Sequence, residues 1–326
     1  MSKLRFPSIL APDTRVTEEQ LATEEGIVAL GENLRVLNRR SFFSAVAAAS
    51  AVAAAGGLMT GEKAEAQSTA PSVVDVLNFA LNFEFLEAEF YSYGANNESL
   101  AAAVLASAAL ATPTLTNPPV ITTSNVINPP VVTLTGDQLA VATALFMDEA
   151  HHIATLQQAI ANLGGVAITE PLIDFSASGT MPAVTTNIAF FAAAREFTAL
   201  GNSAYTGAAA DLISNPAVLT VAAQILGAEA QHLGVVNYLC ATLGITTPSP
   251  DAMIDGQDVP PTGTAAIFTI TSPSLASGPA LGISRTPQQV LGVGYGVSTP
   301  ATITPTPGVT KGGFFPDGVN GAIVST

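Results

Sequence analysis

The chain of 326 residues carries 25 acidic against 10 basic side chains, and its charged fraction is only 11%. Seven of the bases lie before residue 64, leaving Arg195, Arg285 and Lys311 downstream, so there is no basic patch to meet nucleic acid or an anionic membrane. A single cysteine, Cys240, excludes an internal disulfide and reads as a small buried hydrophobe.

The basic residues mark the N-terminus. Residues 38–67 read NRRSFFSAVAAASAVAAAGGLMTGEKAEAQ: two arginines, an Ala-rich apolar run, then Ala64-Glu65-Ala66. That is the layout of an export signal with a small-x-small cleavage site. Arg39-Arg40 followed by Ser41-Phe42-Phe43 resembles a twin-arginine signal. The run from Ser44 to Leu58 is too short to make a good membrane span. Residues 1–66 are therefore expected to be removed, leaving an exported periplasmic or secreted protein with no stable membrane span.

Beyond the signal, helical periodicity covers 72–244. The first long helix is expected from Ser72, with Asp75 as its capping pair, to about Tyr93. A short helix over 97–110 follows. The segment 112–136 contains Asn-Pro-Pro-Val twice, at 117 and 128, and is expected as an extended loop or short hairpin. The second long helix runs from about Asp137 to Leu163 and stops at Gly164-Gly165. The third spans about 185–210. The fourth starts near Asn215-Pro216 and ends before Gly244. From 245 to 326 the periodicity stops, and this stretch holds 11 of the 22 prolines. It includes β-rich AAIFTIT at 265–271 and a helix start at Thr286-Pro287. It reads as an irregular Pro/Gly/Thr-rich segment wrapping the helices. The fold class is all-α: a four-helix bundle with a short β-like or loop insertion between its first two long helices.

At 100° per residue, the apolar stripe of the first helix contains Glu84, Glu87 and Tyr91, whereas Glu89 lies about 140° away and is expected in solvent. The second stripe holds Glu149 and His152, leaving His151 peripheral. The fourth holds Glu229 and His232. A lone buried carboxylate costs several kcal/mol unless compensated. Arg195 is the only base in the helical part. Two explanations remain open: a bound cation, or a metal-free hydrogen-bonded cluster with Tyr91, Tyr205 and water. No serine, cysteine or lysine stands beside a histidine at a spacing that suggests a nucleophile.

The stretches LNFALNFEFLEAEFYSYG (77–94), DEAHH (148–152), AREFTALGNSAYTGAA (194–209) and GAEAQH (227–232) resemble exported ferritin-like proteins related to desiccation-associated proteins. The stretches RTPQQVL (285–291) and GGFFPDGVNG (312–321) resemble the same group. The resemblance implies a ferritin-like four-helix bundle with a carboxylate metal site, and a role connected with stress or desiccation. It also implies an internal pseudo-repeat in which the first helix matches the third. Glu84 stands seven residues before Tyr91, so the acid matching it should stand seven before Tyr205, where the chain has Thr198. Glu196 is about 200° round the helix from that position and is expected to face away. The retained ligand set is Glu84, Glu149, His152, Glu229 and His232, with Glu87 as a substitute. Oxygen and imidazole donors together suit iron or manganese better than zinc. The missing carboxylate predicts a mononuclear or substoichiometric site. The competing expectation is a metal-free protective bundle whose site has decayed. A protein partner or homo-oligomer fits either, and the sequence specifies neither.

Overall fold

The computed structural model describes residues 71–106, 121, 123–245, 284–297 and 304–326. The expected signal region 1–66, the first Asn-Pro-Pro-Val and the AAIFTIT stretch lie outside these residues.

Helix α1 spans Val73–Asn96 and opens with a reciprocal cap. The Ser72 hydroxyl accepts from the Asp75 amide, and the Asp75 carboxylate accepts from the Ser72 amide. Helix α2, Leu100–Ala106, begins three residues after the start of the stretch expected over 97–110, whose last four residues lie outside the described ones. Helix α3 spans Gly136–Asn162 and ends before Gly164, whose φ of 74° only glycine adopts without strain. Helix α4 spans Asn187–Leu212 and is capped by Thr186. Helix α5 spans Pro216–Thr242, with Asn215 capping and proline in its first turn. A final helix, α6, covers Pro287–Gly294 behind the Thr286 cap.

Among the described residues of the 112–136 segment, 121 and 123–136, the chain forms no hairpin. This part contributes β1, Val126–Ile127, which pairs in parallel with β2, Ile173–Asp174. Parallel pairing needs a long connection, and here α3 supplies it.

Four long helices pack around one core. Contacts between Glu84 and His152 and between Gly165 and Val74 run α1 antiparallel to α3. Contacts at Glu84–Tyr205 and Gly94–Phe190 run α1 antiparallel to α4. Helix α5 is antiparallel to α4 through Cys240 and Phe191. Helices α3 and α4 are therefore parallel, and residues 163–186 make the one long crossover of the bundle. Cys240 is buried, and burial pushes its thiol up to about 12.

Helix α1 departs from the expected amphipathic pattern because it is buried nearly all round. The described C-terminal residues cover the side that the other long helices leave bare. Phe315 meets Phe83, and Asn82 exchanges two hydrogen bonds with the Asn320 backbone at 2.8 and 2.9 Å. Glu89, expected in solvent, is fully buried because α2 and the crossover lie over it. One Glu89 carboxylate oxygen accepts from the Leu100 amide at 2.9 Å. Among the described residues, no helix is long and apolar enough to cross a membrane.

Candidate metal centre

The centre lies where the inward stripes of α1, α3 and α5 converge. Glu84, Glu149, His152 and Glu229 are all buried, and one ligand atom from each lies within 4.8 Å of the others. The i, i+3 spacing explains the local geometry: on α3 and again on α5 it puts a carboxylate and an imidazole on one face. His152 Nδ1 stands 2.9 Å from Glu149 Oε2, 3.2 Å from Glu84 Oε2 and 3.4 Å from Glu229 Oε1. His232 lies outside this foursome but touches it, with Nδ1 2.9 Å from Glu149 Oε1 and 3.9 Å from Glu229 Oε1. Its other nitrogen, Nε2, lies 3.0 Å from Asp148 Oδ2, a half-exposed carboxylate. Asp148 carried no signal in the sequence, since its partner comes from a different helix. His151 is only partly buried and does not join the centre.

The third long helix contributes shape and one hydroxyl. Tyr205 donates a hydrogen bond to Glu84 Oε1. Its pseudo-repeat counterpart, Tyr91, has no acid to meet and donates instead to the Ala194 carbonyl at 3.4 Å. Thr198 is fully buried and turns its hydroxyl to the Ala194 and Arg195 carbonyls of its own helix, at 3.2 and 3.1 Å. It supplies no ligand. Glu196 faces away, as expected, and forms a buried ion pair with Arg195.

Glu87 occupies the space that Gly201 leaves. A Cβ on residue 201 would sit 2.6 Å from Glu87 Oε1 and 2.8 Å from Glu229 Oε2. Residue 201 stands three after Thr198, just as Glu87 stands three after Glu84. The pseudo-repeat thus pairs an acid on α1 with a glycine on α4, and the acid fills the gap.

Burial dominates the electrostatics. Burial, then the charges of Glu229, Glu149 and Glu84, push Glu87 well above the usual carboxylate range. Burial and the neighbouring Glu149 raise Glu229 to about 8. Burial also opposes ionisation of Glu149, but the imidazoles on either side outweigh it and hold that carboxyl well below its usual range. His152 is driven the other way: burial lowers it, while Glu84 and Glu149 raise it further, to well above an ordinary histidine. Burial lowers His232 too, and Asp148 and Glu149 outweigh that, to about 10.

The donor set suits a divalent cation. Four buried carboxyl groups face two imidazoles, so with both rings protonated the charges balance only while Glu87 and Glu229 keep their protons, and a cation can take the place of those protons. Glu87 Oε2 and Glu229 Oε2 have no hydrogen-bond partner among the described residues. Buried polar atoms in native proteins are rarely left so. Hard oxygen donors with one or two imidazoles match iron or manganese chemistry.

A bundle with one crossover and inward Glu and Glu-x-x-His side chains is the architecture of ferritin-like helical proteins. The family model described as the ferritin-like domain matches residues 72–242, over half the chain, and the protein belongs to that family. No curated protein matches the chain.

Proposed function

We propose that the protein is an exported ferritin-like protein that binds one iron or manganese ion at Glu84, Glu149, His152 and Glu229. The observation that carries this reading is the buried foursome of ligand atoms within 4.8 Å. Glu149 lies between His152 and His232 and orients both rings. Tyr205 fixes one oxygen of Glu84, leaving its other oxygen directed at the centre. Glu87 is the substitute carboxylate, and His232 holds a second, weaker position through Glu149. A bound ion supplies redox and Lewis-acid chemistry in a buried carboxylate setting. The chain's own contribution is to exclude water and to hold protons on Glu229 and Glu87 until a cation displaces them. Export rests on Arg39-Arg40, the apolar run and Ala64-Glu65-Ala66, and a stress-related role rests on the resemblance of the bundle and tail motifs.

Elemental analysis of the purified mature protein tests the metal reading. About one iron or manganese per chain is expected, falling below a tenth of that in Glu149→Gln. Two tightly held ions per chain would refute the single-ion reading. No metal in the unmodified protein would favour a metal-free protective bundle, in which the imidazoles alone offset the carboxylates.

A further inference from the structure

A slender pocket runs from the metal centre along the seam between α1 and α4. Its inner end is formed by Glu84, Glu87, Gly201 and Tyr205. Its far end reaches Val76 and the exposed Asp211. The antiparallel helices keep these ends in step. From Glu87 back to Val76 the wall follows eleven residues of α1, about 16 Å at 1.5 Å per residue. Between the ends, Phe79, Ala80 and Phe83 face Ala204 and Ala208. The third side comes from the C-terminal segment, through Pro287, Val290 and Ile323. Apart from Arg285, which also lines the pocket and whose guanidinium is held by Ser203, the walls between the two ends are carbon.

The dimensions select the occupant. The space between the walls is about 530 Å3 with its open mouth included, drawn out along about 16 Å of helix. A long, narrow, apolar space excludes rings and branched chains and accepts an extended aliphatic one. The inner end carries two carboxyl groups, Glu84 and Glu87, and the Arg285 guanidinium donates to Ser203, so an anionic head group finds little compensation there. It also holds a buried acceptor, Glu87 Oε2, with no hydrogen-bond partner among the described residues. A hydroxyl satisfies that acceptor without bringing charge.

We propose that this pocket binds an unbranched primary alcohol, its chain lying along α1 and α4 and its hydroxyl donating to Glu87. The inference rests on the metal-centre reading in one respect: it names the class of molecule delivered to that centre. It also gives the C-terminal segment a function, as the wall that makes the groove a pocket.

Titration calorimetry of the purified full chain with 1-octanol tests the proposal, with metal content measured on the same samples. Saturable binding of one 1-octanol per chain is expected. Ala208→Phe, which fills the middle of the pocket, should weaken it at least tenfold at unchanged metal content, and Ala204→Leu serves if that variant does not fold. Octanoate and a branched octanol should each bind at least tenfold more weakly than 1-octanol. Absence of saturable binding, indifference to the filling variant, or octanoate binding as tightly as the alcohol would each overturn the proposal. Binding that is lost in Ala208→Phe, in a chain holding no metal, would uphold the pocket and sink the metal reading. A metal-bearing chain that ignores 1-octanol would do the reverse.

Discussion

At the scale of single residues the broken repeat is the feature with most chemical consequence. Tyr205 keeps Glu84 as its acceptor, whereas Tyr91 is left with a backbone carbonyl because residue 198 is threonine. Thr198→Glu should restore the missing carboxylate and add one more buried charge. Removing or adding one charge without a partner costs about 3–5 kcal/mol. The metal-free variant should therefore melt well below the parent, and iron or manganese should recover most of the loss through preferential binding to the folded state. Thermal unfolding with and without metal reads this directly, and a variant indifferent to metal would disprove it. The acids also set a pH dependence. Folded Glu229 titrates near 8 against 4.5 for an ordinary glutamate, so between those values the folded chain holds a proton that the unfolded chain has released. Stability of the metal-free protein should fall over that window as pH rises. Glu170, pushed to about 9 by burial and then by Glu89, acts with the same sign. His232 stabilises fully below 6.5, and that contribution is lost as pH rises through about 10. Metal-free protein should melt at a higher temperature at pH 5 than at pH 8. A saturating cation should reduce that difference, since it displaces the same protons.

At the scale of elements, several of the helices were legible because they carry their own punctuation. Ser72 with Asp75, Asn215 before Pro216, and Thr286 before Pro287 all cap in the structure as their side-chain chemistry requires. The inward positions of Glu84, Glu149 and Glu229 follow from helix periodicity alone. The burial of Glu89 does not, because it depends on α2 and the crossover lying over the fourth side of α1. Nor does the Asp148–His232 contact, which needs the spacing between α3 and α5. The docking of the C-terminal segment was likewise invisible at residue level, although Gly207 records it. A Cβ there would stand 1.8 Å from the Arg285 carbonyl oxygen, a separation no side chain tolerates. Gly207→Ala should gain helix propensity of about 1 kcal/mol yet lose more by displacing the segment, for a net destabilisation of about 1–3 kcal/mol. Hydrogen exchange should accelerate at 284–297 and remain unchanged in α3. Uniform acceleration would show that the segment does not dock independently.

At the scale of the whole molecule, the chain has two parts of different charge balance. The first 66 residues hold seven of the ten bases against eight acids and are nearly neutral, and the remainder holds three bases against seventeen acids. N-terminal sequencing of protein recovered outside the cytoplasm should begin at or near Gln67, and a start well before it would contradict cleavage after Ala66. Changing both Arg39 and Arg40 to lysine should leave precursor in the cytoplasm, and undiminished export would exclude the twin-arginine route. The bond pair between Asn82 and the Asn320 backbone bears on how such a chain reaches its final form. It joins positions 238 apart, across a helix that all later elements must surround. Contacts this distant in sequence close last and slow the search for the native state. During synthesis α1 is made before the other helices described, and its last open side is covered only when residues 314–320 follow. A nascent chain therefore carries a phenylalanine-rich helix with one side uncovered until then, an interval in which exposed apolar surface invites association with the wrong partner.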